Sequence, residues 1–340
     1  MSTIRVGING LGRIGRTVLR EFIKRQQEGK FPNIEIVAVN NPGDLESFVH
    51  LLKYDSLHGK FPGTIVFENG FFIANGKKIK AFNSPDPKEI GWSDCQVDIV
   101  IDATGRFKDK EGLGKHLGGS VKKVIMCAPG NDLDGTFVFG INHKDYDNAT
   151  HHIVSNASCT TNCLAPVAKV LNDKFGIEHG FMTTVHAYTS DQNILDASHA
   201  DPRRARAAAM SMIPTSTGAA KAVGLVLPEL KGKLDGYAVR VPTPDVSMVD
   251  LTITLKKSAT KEQINQAMQE AANGELAGVL AYIDEPLVSI DFMGRPESSL
   301  FDSELTNVIG NSAKIVTWYD NEVGFSNRVM DLAHHIGSQL

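Results

Sequence analysis

The sequence is poor in the features that mark most specialised protein classes. Only four cysteines (Cys95, Cys127, Cys159 and Cys163) occur in 340 residues. They are too few for a secreted disulfide framework, and no paired Cys-x-x-Cys spacing offers a zinc site. Reduced thiols in a cytosol-like compartment follow. No apolar run approaches the roughly 18 residues a membrane-spanning helix needs, and Met1–Asn9 lacks the apolar core of a signal peptide. The expectation is a soluble, cytoplasmic protein. Charge is nearly balanced, with 35 Lys plus Arg against 39 Asp plus Glu for a net of −4. Strong nucleic-acid binding is therefore not expected, and any anionic ligand must meet a local site. Apolar residues make up 42% of the chain, which excludes disorder. At roughly 150 residues per domain, the length allows about two.

Short β-branched runs at Ile4–Ile8, Ile34–Val39, Asp98–Ala103 and Lys123–Cys127 alternate with amphipathic stretches. That alternation predicts a parallel sheet wrapped by helices. Asn75-Gly76, between Phe71–Ala74 and Lys77–Lys80, favours a two-residue hairpin turn inserted locally in the α/β core. After about Asn156 the texture changes to longer alternating strands, Gly236–Val241 and Val246–Leu255, with helices at Thr160–Phe175 and Thr260–Ala272. A second, α+β domain is expected there. The polar, Arg-rich stretch from Tyr188 to Pro214 is longer than loops normally run, which marks it as functional or interfacial. In the last twenty residues Val329, Leu332, Ala333 and Ile336 share one helical face.

Gly10-Leu11-Gly12-Arg13-Ile14-Gly15 follows the first strand and opens a helical pattern from Thr17 to Arg25. Its glycines permit a tight turn, close approach of backbone to a pyrophosphate and close helix packing. A tight turn without a ligand is the alternative. The second strand ends in Asn40-Asn41, where a ribose-reading residue belongs in such a fold. Cys159 falls between a strand-like His152–Val154 and an apolar helical run from Leu164 to Leu171. In the first turn of a helix the positive dipole end lowers a thiol's pKa, although on the residues alone a small buried hydrophobe is the favoured reading. Cys163, one turn on, suits that bland role better. His186 falls within the strand pattern Phe181–Tyr188, whose end would project into a cleft, and spacing alone does not pair it with Cys159. Thr215-Ser216-Thr217-Gly218 and the guanidinium groups of Arg203, Arg204, Arg206 and Arg240 suit a phosphate, or else a solvated face.

Taken together, the strings GINGLGRIGR from Gly7, KYDSLHGKF from Lys53, SNASCTTNCLAP from Ser155, TSTGAAKA from Thr215, RVPTP from Arg240 and WYDNEVGFSNR from Trp318 closely resemble the phosphorylating glyceraldehyde-3-phosphate dehydrogenases over essentially the whole chain. The resemblance implies a Rossmann-type doubly wound parallel sheet plus an α+β catalytic domain with a mostly antiparallel sheet. The dinucleotide-binding domain would cover 1–157, completed by a C-terminal helix at 321–340, and the catalytic domain 158–320. It implies Cys159 as nucleophile and His186 as its partner. Substrate phosphate would fall to Thr189 and Arg240, and the attacking phosphate to Ser158, Thr160, Arg204, Thr217 and Gly218. Cofactor contacts would come from Gly10, Gly12, Gly15, Thr104, Gly105 and Cys127, from the backbone of Arg13 and Ile14, from Asn41 and Ser198 at the ribose, and from Asn321 at the nicotinamide carboxamide. It further implies glyceraldehyde 3-phosphate and inorganic phosphate as substrates, and a homotetramer in which the 189–214 loop lines a neighbour's cofactor site.

Three positions depart from NAD-specific members of that family: Asn41 replaces the usual Asp, and Ala197-Ser198 replaces a common Leu-Pro pair. All three would face the adenosine ribose. A carboxylate about 5 Å from the 2′-phosphate of NADP costs roughly 3 kcal/mol at an effective dielectric near 20, about a hundredfold in affinity. Asn41 removes that cost, so NADP acceptance or dual NAD/NADP use is expected, unless Asp44 supplies a displaced acid and preserves strict NAD use. Smaller departures are Pro85, Cys127, Pro202 and Phe325. The rival activities are an erythrose-4-phosphate dehydrogenase and a non-enzymatic interaction protein. A phosphate requirement separates the first, and the intact Cys159 and His186 argue against the second.

Overall fold

The computed structural model describes residues 3–340. They form two compact units: residues up to Phe137 with His143–Ala157 and Ser326–Leu340, and Val138–Asn142 with Ser158–Phe325.

The first unit is built on a nine-stranded sheet in the order Gly135–Thr136, Ile153–Ser155, Lys123–Met126, Ile99–Asp102, Ile4–Asn9, Ile34–Asn40, Lys77–Phe82, Phe71–Ala74, Ile65–Glu68. Pairing is parallel as far as Lys77–Phe82 and antiparallel beyond it. Central parallel strands are covered on both faces and so read as unbroken apolar runs; Ile99–Asp102 and Lys123–Met126 are buried at every position. Both strands are shorter than the sequence runs suggest. The 98–103 run loses its ends, and Cys127 follows its strand instead of closing it. The Asn75-Gly76 hairpin forms, with both residues at positive φ (50° and 81°) as a two-residue turn requires. It does not stand apart from the core, because its second strand joins the parallel sheet beside Ile34–Asn40.

The C-terminal helix, Val323–Gly337, buries Val329, Leu332, Ala333 and Ile336 completely. From Ser326 onward it belongs to the first unit. Arg25 ties the two ends of that unit together, pairing with Asp331 at 2.9 Å and packing over the Phe31 ring.

The second unit is built on a seven-stranded sheet: Ile213–Ser216, Leu234–Val241, Ile177–Ala187, Ser247–Leu255, Ser312–Tyr319, Ser299–Ile309, Leu280–Ile283. Only the pairs Ile177–Ala187 with Leu234–Val241 and Leu280–Ile283 with Ser299–Ile309 are parallel. The rest are antiparallel. Helices Cys159–Phe175, Ala219–Val226 and Lys261–Asn273 accompany the sheet. The last starts at Thr260, whose hydroxyl and Gln263 form a capping box. The expected α/β class with a parallel and a mostly antiparallel sheet is thus what the chain adopts.

Candidate active site

In the first unit, strand Ile4–Asn9 turns at Gly10, whose φ of +94° lies where a side chain is strained. A Cβ at Gly10 would sit 2.9 Å from the Thr104 nitrogen, and one at Gly15 would collide with the Gly10 carbonyl. Gly12, by contrast, has nothing within 4 Å of where its Cβ would stand. Helix Arg13–Gln27 starts at Gly12 with no side-chain cap and no acidic residue in its first turn. A turn closed by two glycines, open at the third and leading into uncapped helical N–H groups fits a dinucleotide pyrophosphate. The Arg13 guanidinium is held by Asp55 at 2.7 and 3.2 Å, so Arg13 offers the turn its backbone and not its charge. That pair, with the N–H groups of Leu57 and His58, holds the Asp55 carboxyl down at about 2 against the cost of burial.

Asn41 accepts the Leu11 N–H at 2.7 Å and donates to the Pro42 carbonyl at 2.7 Å. Its neighbour Asp44 caps helix Leu45–Lys53 by accepting the Glu46 N–H on Oδ1. Beneath the turn lies a buried polar network with no counterpart in the sequence reading. Asp102 accepts from Asn9 Nδ2 at 2.8 Å, from the Thr104 hydroxyl at 2.7 Å and from the Thr104 N–H at 3.1 Å. His116 Nε2 lies 3.2 Å from the same carboxylate, and Trp92 donates to His116 Nδ1 at 3.1 Å. Thr104 is therefore oriented by a carboxylate that Asn9 and His116 hold in turn. Gly105 follows at φ +64°, and Cys127 donates its N–H to the Asp102 carbonyl while burial pushes its thiol up.

In the second unit, Cys159 is the first residue of helix Cys159–Phe175, and the Ser158 hydroxyl caps that helix through the Thr161 N–H at 3.0 Å. Its Sγ lies 3.5 Å from His186 Nε2. His186 stands opposite Arg240 in the parallel ladder, which puts both side chains on one face. His186 Nδ1 is 2.7 Å from the Ala187 carbonyl and 2.8 Å from Arg240 Nη1, which itself donates to that carbonyl at 3.0 Å. Burial first, and then the Arg240 charge, hold His186 down at about 3. Burial pushes the Cys159 thiol up, with Arg240 and Thr160 pulling it back. At the Cys159 sulfur, burial on one side and the Arg240 charge with the Thr160 hydrogen bonds on the other therefore act in opposite directions.

Tyr319 and Ser247 complete this centre, and neither stood out in the sequence. The Tyr319 hydroxyl joins those of Thr160 at 2.7 Å and Thr184 at 2.9 Å, and its ring meets His186 edge-on. Ser247 Oγ accepts the Ala187 N–H at 3.1 Å and donates to Asn321 Oδ1 at 2.7 Å, linking the histidine strand to the asparagine. It follows Val246, a β-branched residue held at φ +62°. Arg204 is clamped by Thr215 Oγ1, Asp191 and the Ser216 carbonyl. Arg206 instead pairs with Asp196 in solvent. Thr217 caps the Ala219 N–H at 3.2 Å, and Gly218 begins helix Ala219–Val226 without a side-chain cap. Thr189 and Ser198 lie in the long loop, which closes through Ala197 N–H to the Ala205 carbonyl. Cys163 is buried against Thr317, a packing cysteine.

A dinucleotide-type turn in one unit and a cysteine–histidine pair beside a guanidinium in the other define a thiol-dependent oxidoreductase. Profiles described as "Glyceraldehyde 3-phosphate dehydrogenase, NAD binding domain" and "Glyceraldehyde 3-phosphate dehydrogenase, C-terminal domain" match residues 4–110 and 158–321. Glyceraldehyde-3-phosphate dehydrogenase 1 of Bacillus cereus is 55% identical over 336 residues, covering 98% of this chain and 99% of its own. The Geobacillus stearothermophilus glyceraldehyde-3-phosphate dehydrogenase is 54% identical over 337 residues, and glyceraldehyde-3-phosphate dehydrogenase 2 of Trichormus variabilis 53% over 338, each covering 99% of both chains. The chain belongs to the glyceraldehyde-3-phosphate dehydrogenase family. Among the described residues, no helix is long and apolar enough to cross a membrane.

Proposed function

We propose that the chain catalyses the phosphorylating oxidation of D-glyceraldehyde 3-phosphate to 1,3-bisphosphoglycerate with either NAD or NADP. The observation that carries the reading is Cys159 Sγ facing His186 Nε2 at 3.5 Å with Arg240 behind the imidazole. Sulfur adds to the aldehyde carbon, and its proton passes to His186 Nε2. Nε2 returns that proton to the alkoxide oxygen to give the hydroxyl, and takes it up again as the carbon is oxidised, leaving a thioester on Cys159. Bound at the glycine turn, the nicotinamide cofactor supplies the hydride acceptor for that oxidation. An oxygen of inorganic phosphate then forms a bond to the thioester carbon while the C–S bond breaks, which frees the thiolate. Thr189 and Arg240 would hold the substrate phosphate, and Ser158, Thr160, Arg204, Thr217 and Gly218 the incoming one. Gly10, Gly12, Arg13, Ile14 and Gly15 would hold the pyrophosphate, and Thr104, Gly105 and Cys127 would line the cofactor beyond it. Asn321, with Oδ1 engaged by Ser247, would offer its amide N–H to the carboxamide.

NADP acceptance is supported by the uncharged Asn41 and by Ala197 and Ser198. A homotetramer is supported by the long loop, where Ile194, Leu195, Met210 and Met212 stand exposed, Ile194 at 86%. The test is the initial rate with glyceraldehyde 3-phosphate and phosphate, NAD against NADP at matched concentrations. Turnover with both, abolished without phosphate, is expected. Turnover with NAD alone overturns the cofactor proposal, and phosphate-independent turnover overturns the reaction.

A further inference from the structure

Strand Ile34–Asn40 pairs with Lys77–Phe82 only at Ala38–Lys80, Val39–Ala81 and Asn40–Phe82. Before those three pairs the strands part, and Lys77–Phe82 stays with its hairpin partner Phe71–Ala74. Paired strands leave about 4.8 Å between them. Here the sheet opens into a cavity of about 530 Å³, at the end of the strands remote from the Gly10 turn. That volume lies within the roughly 300–1,000 Å³ of small-molecule sites.

The lining combines an apolar floor with an excess of positive charge. Phe22, Ile23, Ile36, Phe71 and Ile79 supply the floor. Arg5, Lys77, Lys78 and Lys80 supply cations, against the two carboxylates Glu35 and Asp94. Among the described residues none of these four cations makes an ion pair: Lys77 donates to Gln26 Oε1 at 3.1 Å, and Arg5 Nε donates to the Cys95 carbonyl at 2.9 Å. Lys78 and Lys80 lie 5.7 and 4.7 Å from the centre of the Phe71 ring. Elsewhere in the same unit, lysines are neutralised by neighbouring acids, as Lys122 is by Asp98 and Lys110 by Asp134. Cations left unpaired around an apolar hollow attract an anion whose body fills the hollow.

We propose that this cavity binds a small organic anion with an aromatic or aliphatic body, at a site separate from the glycine turn. The apolar floor takes the body, the Phe71 ring stacks with it, and Lys78, Lys80 and Arg5 take the carboxylate, sulfonate or phosphate. Cys95 lines the same cavity and reports its occupancy.

The probe is 1-anilinonaphthalene-8-sulfonate, titrated by fluorescence into the full chain at saturating NAD, which keeps the dye out of the dinucleotide site. Saturable binding is expected, with affinity reduced at least tenfold in the double variant Lys78→Glu/Lys80→Glu. Dehydrogenase activity of that variant should be unchanged, which shows that it folds. The uncharged analogue N-phenyl-1-naphthylamine should bind at least tenfold more weakly. By mass spectrometry the dye should slow maleimide alkylation of Cys95 at least fivefold without slowing that of Cys159. Absent binding, equal affinity in the double variant, equal affinity of the uncharged analogue or an unprotected Cys95 would each overturn the proposal.

Discussion

Arg240 Nη1 lies 2.8 Å from His186 Nδ1, and the two residues are direct partners across a parallel ladder. A guanidinium has only donors, so this contact and the one from Nδ1 to the Ala187 carbonyl select opposite tautomers of the same ring. With Nδ1–H on Ala187, Nε2 presents a lone pair to Cys159 and the ring is a base. With Arg240 donating to Nδ1, Nε2 carries the hydrogen and the ring is a hydrogen-bond donor toward Cys159. A substrate phosphate that draws Arg240 away would thus leave the imidazole as the base the first step needs.

Arg240 also pulls the Cys159 thiol toward ionisation. Replacing it, Arg240→Leu, should move the pH profile of Cys159 alkylation by iodoacetamide to higher pH and raise the KM for glyceraldehyde 3-phosphate at least tenfold. An unmoved profile would mean that the Arg240 charge does not reach the sulfur.

The buried contact of Trp92 with His116 can be tested in the same way. Indole is donor-only, so His116 Nδ1 must accept, and Nε2–H then faces Asp102. His116→Phe leaves the Trp92 N–H and one side of Asp102 unpaired in a dry interior, at a cost of about 2–3 kcal/mol. His116→Gln restores a donor and an acceptor and should recover part of it. Thermal unfolding measures the stability. A KM for NAD that rises in the Phe variant while kcat holds would show that the network positions the turn above it.

At the ribose position, Asn41→Asp keeps an acceptor for the Leu11 N–H but sets a carboxylate oxygen against the Pro42 carbonyl and against any 2′-phosphate. The KM for NADP should rise about a hundredfold, and that for NAD should fall or hold. Steady-state kinetics with both cofactors decide it, and an unchanged NADP value removes Asn41 from the account.

Acid should destabilise the fold through its buried imidazoles. His186 stays neutral in the folded chain down to about 3, whereas an exposed imidazole takes up a proton near 6.5. Between those values the unfolded chain binds more protons, so stability falls as pH falls through that window and is level above it. His143 and His335 are shifted in the same direction by burial and add to the decline below the ordinary imidazole value. Asp55 adds to the loss as pH falls from 3.8 toward 2. Urea midpoints at several pH values between 4 and 7.5 should decline toward acid, less steeply in His186→Asn; a flat series would contradict the assignment.

The parallel sheet was legible because strands buried on both faces leave unbroken β-branched runs, and the hairpin because Asn75-Gly76 suits only a few turns. Strands Ser299–Ile309 and Ser312–Tyr319 went unread. The first is interrupted by a bulge between Asp302 and Asn307, which breaks the alternation a half-buried strand would show. The pairing of Cys159 with His186 was available only through the family resemblance, since 27 residues separate them and the chain holds eleven histidines. His116 left no trace at all: Asn9, Trp92 and Asp102 are brought to it by three different segments, and burial of a polar cluster has no period.

The ladder from Gly180–Leu234 to Ala187–Val241 runs eight pairs without a bulge, with His186 and Arg240 in its seventh. Side chains alternate faces along a strand, so one residue gained or lost inside either partner would turn one of these two away from the other. Length variation among descendants of this chain is therefore confined to the segments outside the ladder. The spacing of base and guanidinium is inherited from backbone hydrogen bonds, and substitution of neighbouring side chains leaves it in place.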